Sequence, residues 1–399
     1  MTPTVPQRNT RKTGTTLKPR PILLDGVQSS MLNYGFIGCG WMGQEHLENI
    51  NHLGGAQVKA IYEPDEAMAC AALSLAPNSE RETSIDSLIK RQDLHALVIT
   101  SPNYVHGDQL RLIASQVTLP ILVEKPLVTR GDEIDLIRQL QAGYKAPIWV
   151  AMEYRYMPAV SLFLEKANEV TGGITMLSIR EHRFPFLPKV GNWNRFNAFS
   201  GGTFVEKCCH FFDLMRLTLG KQPIRVMASA AQSHNHKFEV YEKGKSDIWD
   251  NGFVIVDFED DTRALLDLCM FAEGSRYQEE ICAVGPEGKI ETQVPGPFRM
   301  WPKSAGEAPI AQLTASPRHE KHPLTQAVPV DQKLLEIGDH NGATFYQHQK
   351  FAAMIRDGGL PEVSLEDGWQ AVRMGLAAQA AASEGVAINL IGNNAFLSG

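Results

Sequence analysis

Three groups of residues in this chain have the types and spacing that chemistry needs. The first, Gly38-Cys39-Gly40-Trp41-Met42-Gly43, follows a short apolar run at residues 33–38 and opens a helix-like segment at 44–50. Strand, glycine loop and helix in that order aim backbone N–H groups and a helix N-terminus at one point, where a pyrophosphate binds and side chains would be in the way. A second apolar run, 57–62, ends at Glu63, 20 residues past Gly43. An acid there accepts hydrogen bonds from the adenosine ribose hydroxyls and repels a 2′-phosphate, so NAD is expected rather than NADP. The competing account is that Glu63-Pro64-Asp65 only caps the next helix.

The second group lies at strand ends, in Thr100-Ser101-Pro102-Asn103 with His106, and in Glu124-Lys125-Pro126. The third is Glu206, His210 and Asp213, whose spacings of four and three predict one helical face carrying three ionisable groups. Taken singly, each has an ordinary explanation: a turn at Pro102-Asn103, a solvated lysine, a surface Glu and His pair. The elements around them argue otherwise. Strand-like runs at 94–100, 121–124 and 148–151 alternate with helix-length segments, which predicts an α/β chain with a doubly wound parallel sheet. In such sheets ligands sit beyond the carboxyl ends of the strands, where the second group falls.

Together, Gly38, Gly40 and Gly43, then Thr100 to Asn103 with His106, then Glu124-Lys125-Pro126, then Ser200-Gly201-Gly202 leading to Glu206 and His210, resemble the Gfo/Idh/MocA oxidoreductases. The likeness runs over about residues 31–390, with Ser200 where the family has a glycine and Glu206 where it has an aspartate. It implies a Rossmann NAD-binding domain at 31–150 and an α+β substrate and dimerisation domain at 151–390. The second domain would be built on an open, largely antiparallel sheet, with C-terminal helices packing back on the first. Runs at 252–258, 264–269 and 280–284 read as its strands, and residues 295–329, with seven prolines, read as a long surface loop. Residues 338 onward read as helical.

By that resemblance the cofactor contacts are Gly38, Gly40, Trp41, Met42, Gly43, Glu63, Thr100, Ser101, Asn103, His106, Glu124 and Lys125. His210 would be the base that removes the hydroxyl proton, and Lys125 would assist, its pKa drawn down by oxidised nicotinamide. Glu206 would orient His210 or bond a neighbouring hydroxyl. The substrate contacts would be Lys125, Arg155, Arg180, His182, Arg183, Trp193, Arg195, Glu206, Lys207 and His210. Clustered cations at 180–207, Lys189 among them, point to an anionic group on a sugar or cyclitol, unless they pair with Glu181 and Glu206. Asp339-His340-Asn341-Gly342 adds a substrate contact or, more blandly, a helix cap.

Composition sets the outer bounds. A chain of 399 residues, 43% hydrophobic, has material for more than one core, and 38 Lys and Arg against 45 Asp and Glu give a net charge of −7. No nucleic-acid partner is expected from such a balance. No apolar run approaches the roughly 18–20 residues that cross a bilayer, so no membrane partner is expected. Six cysteines without a zinc spacing predict no metal and a reducing, cytoplasmic setting. Residues 1–30 are basic, rich in Thr and Pro, and without period, which predicts a disordered extension; a transit peptide would need more apolar residues. The family resemblance implies a homodimer or homotetramer.

Three activities fit this reading. The first is a sugar or cyclitol dehydrogenase. The second is a redox-neutral glycosidase like the NAD-dependent sulfoquinovosidases, which oxidise C3 transiently, eliminate the aglycone and add water. The third is a non-catalytic NAD-binding regulator, against which the chain retains Lys125 and His210.

Overall fold

The computed structural model describes residues 31–392, so the leader and its expected disorder lie outside the described residues. The first half is built on strands β1 (Leu32–Ile37), β2 (Ala56–Tyr62), β3 (Glu80–Arg81), β4 (Ala96–Ile99), β5 (Ile121–Glu124) and β6 (Ile148–Ala151). They form one parallel sheet in the order β3-β2-β1-β4-β5-β6. Every residue of β4, β5 and β6 is buried, because crossover helices cover both faces of such a sheet. Those helices are α1 (Trp41–Leu53), α2 (Glu66–Leu75), α3 (Ile85–Ile89), α4 (His106–Gln116) and α5 (Ile134–Gly143). Each fully buried Ile, Leu or Val contributes roughly 1.5–3 kcal/mol relative to exposure. Strand order reverses between β1 and β4, which opens a crevice at their carboxyl ends.

The second half is a nine-stranded sheet. In chain order its elements are α6 (Pro158–Thr171), β7 (Met176–His182), α7 (Asn197–Ser200), α8 (Thr203–Glu206), α9 (Cys209–Leu219), β8 (Pro223–Ala231), a small hairpin of β9 (Val240–Tyr241) and β10 (Gly244–Lys245), β11 (Asn251–Phe258), β12 (Arg263–Cys269), β13 (Glu279–Val284), β14 (Gly288–Val294), β15 (Ala311–Pro317), β16 (Leu324–Val328), α10 (Gln332–Glu336), α11 (Ala343–Asp357), α12 (Leu365–Glu384) and β17 (Ile388–Asn389). The order is β16-β15-β14-β13-β7-β12-β11-β8-β17, antiparallel except for β7 beside β12. Alternation along β11 buries Val254, Val256 and Phe258 and leaves Phe253 and Ile255 on the open face.

Two expectations are corrected here. Residues 295–329 are not all loop, since β15 and β16 extend the sheet edge. Gln312, Thr314, Leu324, Thr325 and Gln326 pair through backbone hydrogen bonds with little apolar content, so hydrophobic period gave no signal. The helix from Thr203 is also broken. Cys208 N–H bonds Thr203 O, five residues back, and Phe211 N–H bonds Cys208 O, three back, so α9 starts on a new phase.

Arg356 Nη2 donates to Gly55 O at 2.6 Å and Thr344 Oγ1 donates to Glu45 Oε1 at 2.8 Å, docking α11 on α1.

Candidate active site

The glycine loop is shaped by contacts that only glycine tolerates. Gly38 has φ +87°, and a Cβ on Gly43 would lie 2.8 Å from Gly38 O and 2.9 Å from Thr100 Oγ1. Gly40 is different: a Cβ there would meet no atom within 4 Å. It faces open space, and the amino end of α1 has no side-chain cap, so its N–H groups are free to meet an anion. Asn103, just past β4, is buried with Nδ2 lacking a hydrogen-bond partner. An uncapped helix end, an open glycine and an unpartnered amide at the switch point fit a dinucleotide. Gly40→Ala is accordingly expected to weaken NADH binding about tenfold, about 1.4 kcal/mol, with no change in the thermal midpoint. A fluorescence titration and a melting curve check this; equal affinity would place the pyrophosphate elsewhere.

Glu63 directly follows β2, beside this loop. Its Oε2 accepts from Cys39 N–H at 2.6 Å and its Oε1 from Asp65 N–H at 2.9 Å. The cap of α2 is Asp65, which accepts from Met68 N–H at 3.0 Å, so the capping account of Glu63 falls to its neighbour. His106 is fully buried, its ring nitrogens 2.9 Å from Pro126 O and 3.0 Å from Ser101 O. It ties the loop after β4 to the loop after β5. Trp41 is 38% exposed, near the Arg299 guanidinium, and Met42 is half-buried.

Lys125 follows β5, with Nζ 3.3 Å from Glu206 O. Burial disfavours its ammonium, yet Cys209, Glu124, Glu153 and Glu206 outweigh burial and raise its pKa. The protein's own groups thus act against the lowering ascribed to nicotinamide. His210 is buried, stacked on Tyr154 with ring centroids 4.1 Å apart. Burial, then Lys125 and Lys207, hold its pKa well below the usual imidazole value. A neutral imidazole is available as a base.

Glu206 does not orient His210. Its Oε1 accepts from Lys189 Nζ at 3.0 Å, and Oε2 is buried and unpartnered. The carboxylate beside His210 is Glu153, with Oε1 3.6 Å from Nε2. Asp213 leaves the stripe altogether, because the break at Lys207 and Cys208 turns it toward Arg155, whose Nε donates to Asp213 Oδ2 at 2.5 Å. Arg155 Nη1 also reaches Glu362 O at 3.1 Å, so Arg155 is a buried staple and not a substrate contact.

Most of the other cations are engaged. Arg180 and His182 point to the open face, bound to Asp267 at 3.1 and 3.2 Å. The two-residue period of β7 sends them outward and Glu181 inward, which removes both from the site. Arg195 is held by Glu239 and by Phe186 O, each at 3.0 Å, in the wall of the 190–200 segment. Arg183 lies 3.4 Å from Glu181 Oε1, and Lys207 Nζ lies 2.9 Å from the same oxygen and 2.5 Å from Tyr154 OH. Lys189 sits over Trp193, which meets the Tyr104 ring across the cleft.

Lys125, Glu206, His210, Lys207, Arg183 and Trp193 therefore gather here, with Glu181 as the expected ion-pair partner of the cations, and sequence reasoning missed their neighbours Glu153, Tyr154 and Glu279. Glu153 stands just past β6, so the carboxyl-end rule applied to β4 and β5 would have found it.

Gly342 takes the N-cap position of α11, while His340 of the same run is a site-wall residue. Its Nδ1 is 2.8 Å from Glu45 Oε1, and α11 has no side-chain cap. Burial opposes both charges, but the pair holds: Glu45 is lowered to about 2 and His340 raised to about 9. Glu45 stabilises the fold above its usual value near 4.5 and loses that as pH falls toward 2. His340 does so below 6.5 and loses it as pH rises through about 9. The destabilisation by His340→Asn, read by urea unfolding, should be largest between those limits and shrink above pH 9; a pH-independent difference would refute the pairing.

Among the described residues no group of His, Cys, Asp and Glu is placed to hold a metal, all six cysteines are free, and no helix is long and apolar enough to cross a membrane.

A doubly wound sheet with an open glycine loop, facing a mixed sheet across a cleft that holds a half-buried lysine and a neutral imidazole, defines a dinucleotide-binding oxidoreductase architecture. The chain belongs to the Gfo/Idh/MocA oxidoreductase family. Residues 32–152 match its "NAD-binding Rossmann fold" and residues 167–390 its "C-terminal alpha/beta domain". Inositol 2-dehydrogenase of Corynebacterium glutamicum strain R is 30% identical over 200 residues, 50% of this chain and 57% of that protein. Inositol 2-dehydrogenase 2 of Saccharopolyspora erythraea is 24% identical, covering 66% of this chain and 74% of that one. The chain spans about half the length of several curated relatives it matches, 47% to 58% in three of them. A levoglucosan dehydrogenase solved with NADH and levoglucosan shares the fold, with TM-score 0.74, 20% identity, and coverage of 90% and 99%.

Proposed function

We propose that this chain is an NAD-dependent dehydrogenase that oxidises a hydroxyl carbon of a sugar or cyclitol. The observation that carries the reading is the neutral, buried His210 beside a cationic Lys125 at the mouth of the dinucleotide crevice. Gly38, Gly40, Gly43, Asn103 and Glu63 hold the cofactor, which when bound takes the hydride. His210 takes the hydroxyl proton, and Lys125 steadies the negative charge that builds on that oxygen.

The substrate we favour is a neutral polyol. Buried oxygens of Glu181, Glu206 and Glu279 have no hydrogen-bond partners and can accept from hydroxyl groups. Lys189, Arg183 and Lys207 are already paired with carboxylates, which weighs against the anionic group. We further propose a dinucleotide unit at 31–150, a substrate unit at 151–390, and a homodimer or homotetramer formed through the exposed Phe253, Ile255 and Leu265 of the open face, in a cytoplasmic setting.

The test is the full chain with NAD in heavy water and a panel of cyclitols, neutral and anionic sugars, and glycosides, read by NADH absorbance and product NMR. NADH with a keto product from a neutral polyol supports the proposal, and turnover of the anionic members alone moves the substrate class. Aglycone release that needs NAD but accumulates no NADH, with deuterium at C2, replaces it with the glycosidase. Binding of NAD without turnover leaves the regulator.

A further inference from the structure

Glu153 is a residue that no motif assigned, and its surroundings are unusual. It is 1% exposed, and neither carboxylate oxygen has a hydrogen-bond partner. Burying a carboxylate in that state is unfavourable unless neighbours or protonation compensate. Oε1 lies 3.6 Å from His210 Nε2 on α9 and 3.9 Å from His340 Nε2 ahead of α11. His340 is itself fixed by Glu45 from α1 at 2.8 Å. A carboxylate thus stands between two imidazoles contributed by different parts of the chain, one anchored and one free.

We propose that Glu153 is the positioning residue of His210, fixing its tautomer and sharing its proton during oxidation of the substrate. This rests on the dehydrogenase reading above. With the Nε2 hydrogen directed at Glu153, the lone pair that accepts a proton is on Nδ1, which is buried and unpartnered. In the reaction the carbinol C–H pair passes to oxidised nicotinamide as hydride and the O–H bond breaks. Its proton goes to Nδ1, and the Nε2 hydrogen is shared with Glu153. The products are a carbonyl, reduced cofactor and one proton, which leaves to solvent on turnover. The contact of 3.6 Å is expected to tighten when substrate binds.

Other groups face Glu153 from every side: Glu124 and Lys125 from the end of β5, Cys209 and His210 from α9, His340, and Tyr154 on its own turn. Burial first, then Glu124, push its pKa up to about 7, while His340 and Lys125 pull it down. Exchange of a proton with an imidazole is therefore accessible near neutrality. Glu206 does not take this place, because Lys189 holds its Oε1 and its Oε2 makes no hydrogen bond.

The experiment uses the full-length protein labelled with 15N-histidine, with His210 assigned through His210→Asn, and the variants Glu153→Gln and Glu153→Asp. In the wild type, His210 should be the Nε2–H tautomer, with an inflection near pH 7 that follows Glu153. In Glu153→Gln that inflection should vanish and the tautomer should shift. On the polyol found by the panel, kcat should fall about 100-fold and the pH profile should lose its ionisation near neutrality, while NADH affinity stays within twofold. Glu153→Asp should recover part of the rate. Unchanged His210 resonances and an unchanged pH profile in Glu153→Gln would overturn the proposal. If Glu153→Gln fails to fold, the wild-type titration decides, and a His210 without that inflection overturns it. If no panel member yields NADH, the dehydrogenase reading fails, while the NMR coupling still reports on Glu153.

Discussion

Lys125→Met should lower kcat for NADH formation by about 10²–10³-fold, roughly 3–4 kcal/mol, the scale for removing one preorganised charge from a developing oxyanion. Methionine keeps the length and apolar stem of lysine, so the change isolates the ammonium. That ammonium is half-buried, tied to Glu206 O at 3.3 Å, and its pKa is raised by Cys209, Glu124, Glu153 and Glu206 against the cost of burial. Without it Glu124 and Glu153 lose a compensating cation and take up protons at higher pH. The pH profile of the residual activity should therefore move upward. NADH binding, read by fluorescence, should persist, because the glycine loop and Glu63 lie on other elements. Activity within tenfold of the wild type would remove Lys125 from the chemistry.

Asp213→Ala should destabilise the fold by about 3–5 kcal/mol, because it leaves the Arg155 guanidinium buried without its partner. Arg155 is 9% exposed and Asp213 1%, and the guanidinium meets the carboxylate through both Nε and Nη2. Replacing both residues, as Arg155→Met with Asp213→Leu, should recover much of the loss, since an apolar pair of similar volume needs no compensation. Urea unfolding measures this, and KM for the substrate should be unchanged below the unfolding transition. A variant of full stability that has lost activity would instead return Asp213 to the site. The same residue thus separates the two ways of reading Glu206, His210 and Asp213: a single helical stripe, or a helix whose phase is reset at Lys207 and Cys208.

The paired cations show why charge runs mislead. Arg180, His182, Arg183, Arg195 and Lys207 are close in sequence, yet they go to the open face, the site and the segment wall. Partners such as Glu239 and Asp267 lie 44 and 87 residues away from the cations they hold.

What the sequence determined by itself was local or contiguous. The glycine loop, Glu63 at the tip of β2, and Lys125 after β5 follow from strand, turn and helix in order, where period and backbone conformation are set by near neighbours. Short, wholly apolar strands likewise mark a sheet covered on both faces. Tertiary structure alone decided which carboxylate stands beside His210, where Asp213 turns, and how Glu45 finds His340, 295 residues away. Those outcomes depend on which distant segments share a buried space. Burial fixes the energy of a charge through every neighbour within a few ångströms, whatever their distance along the chain.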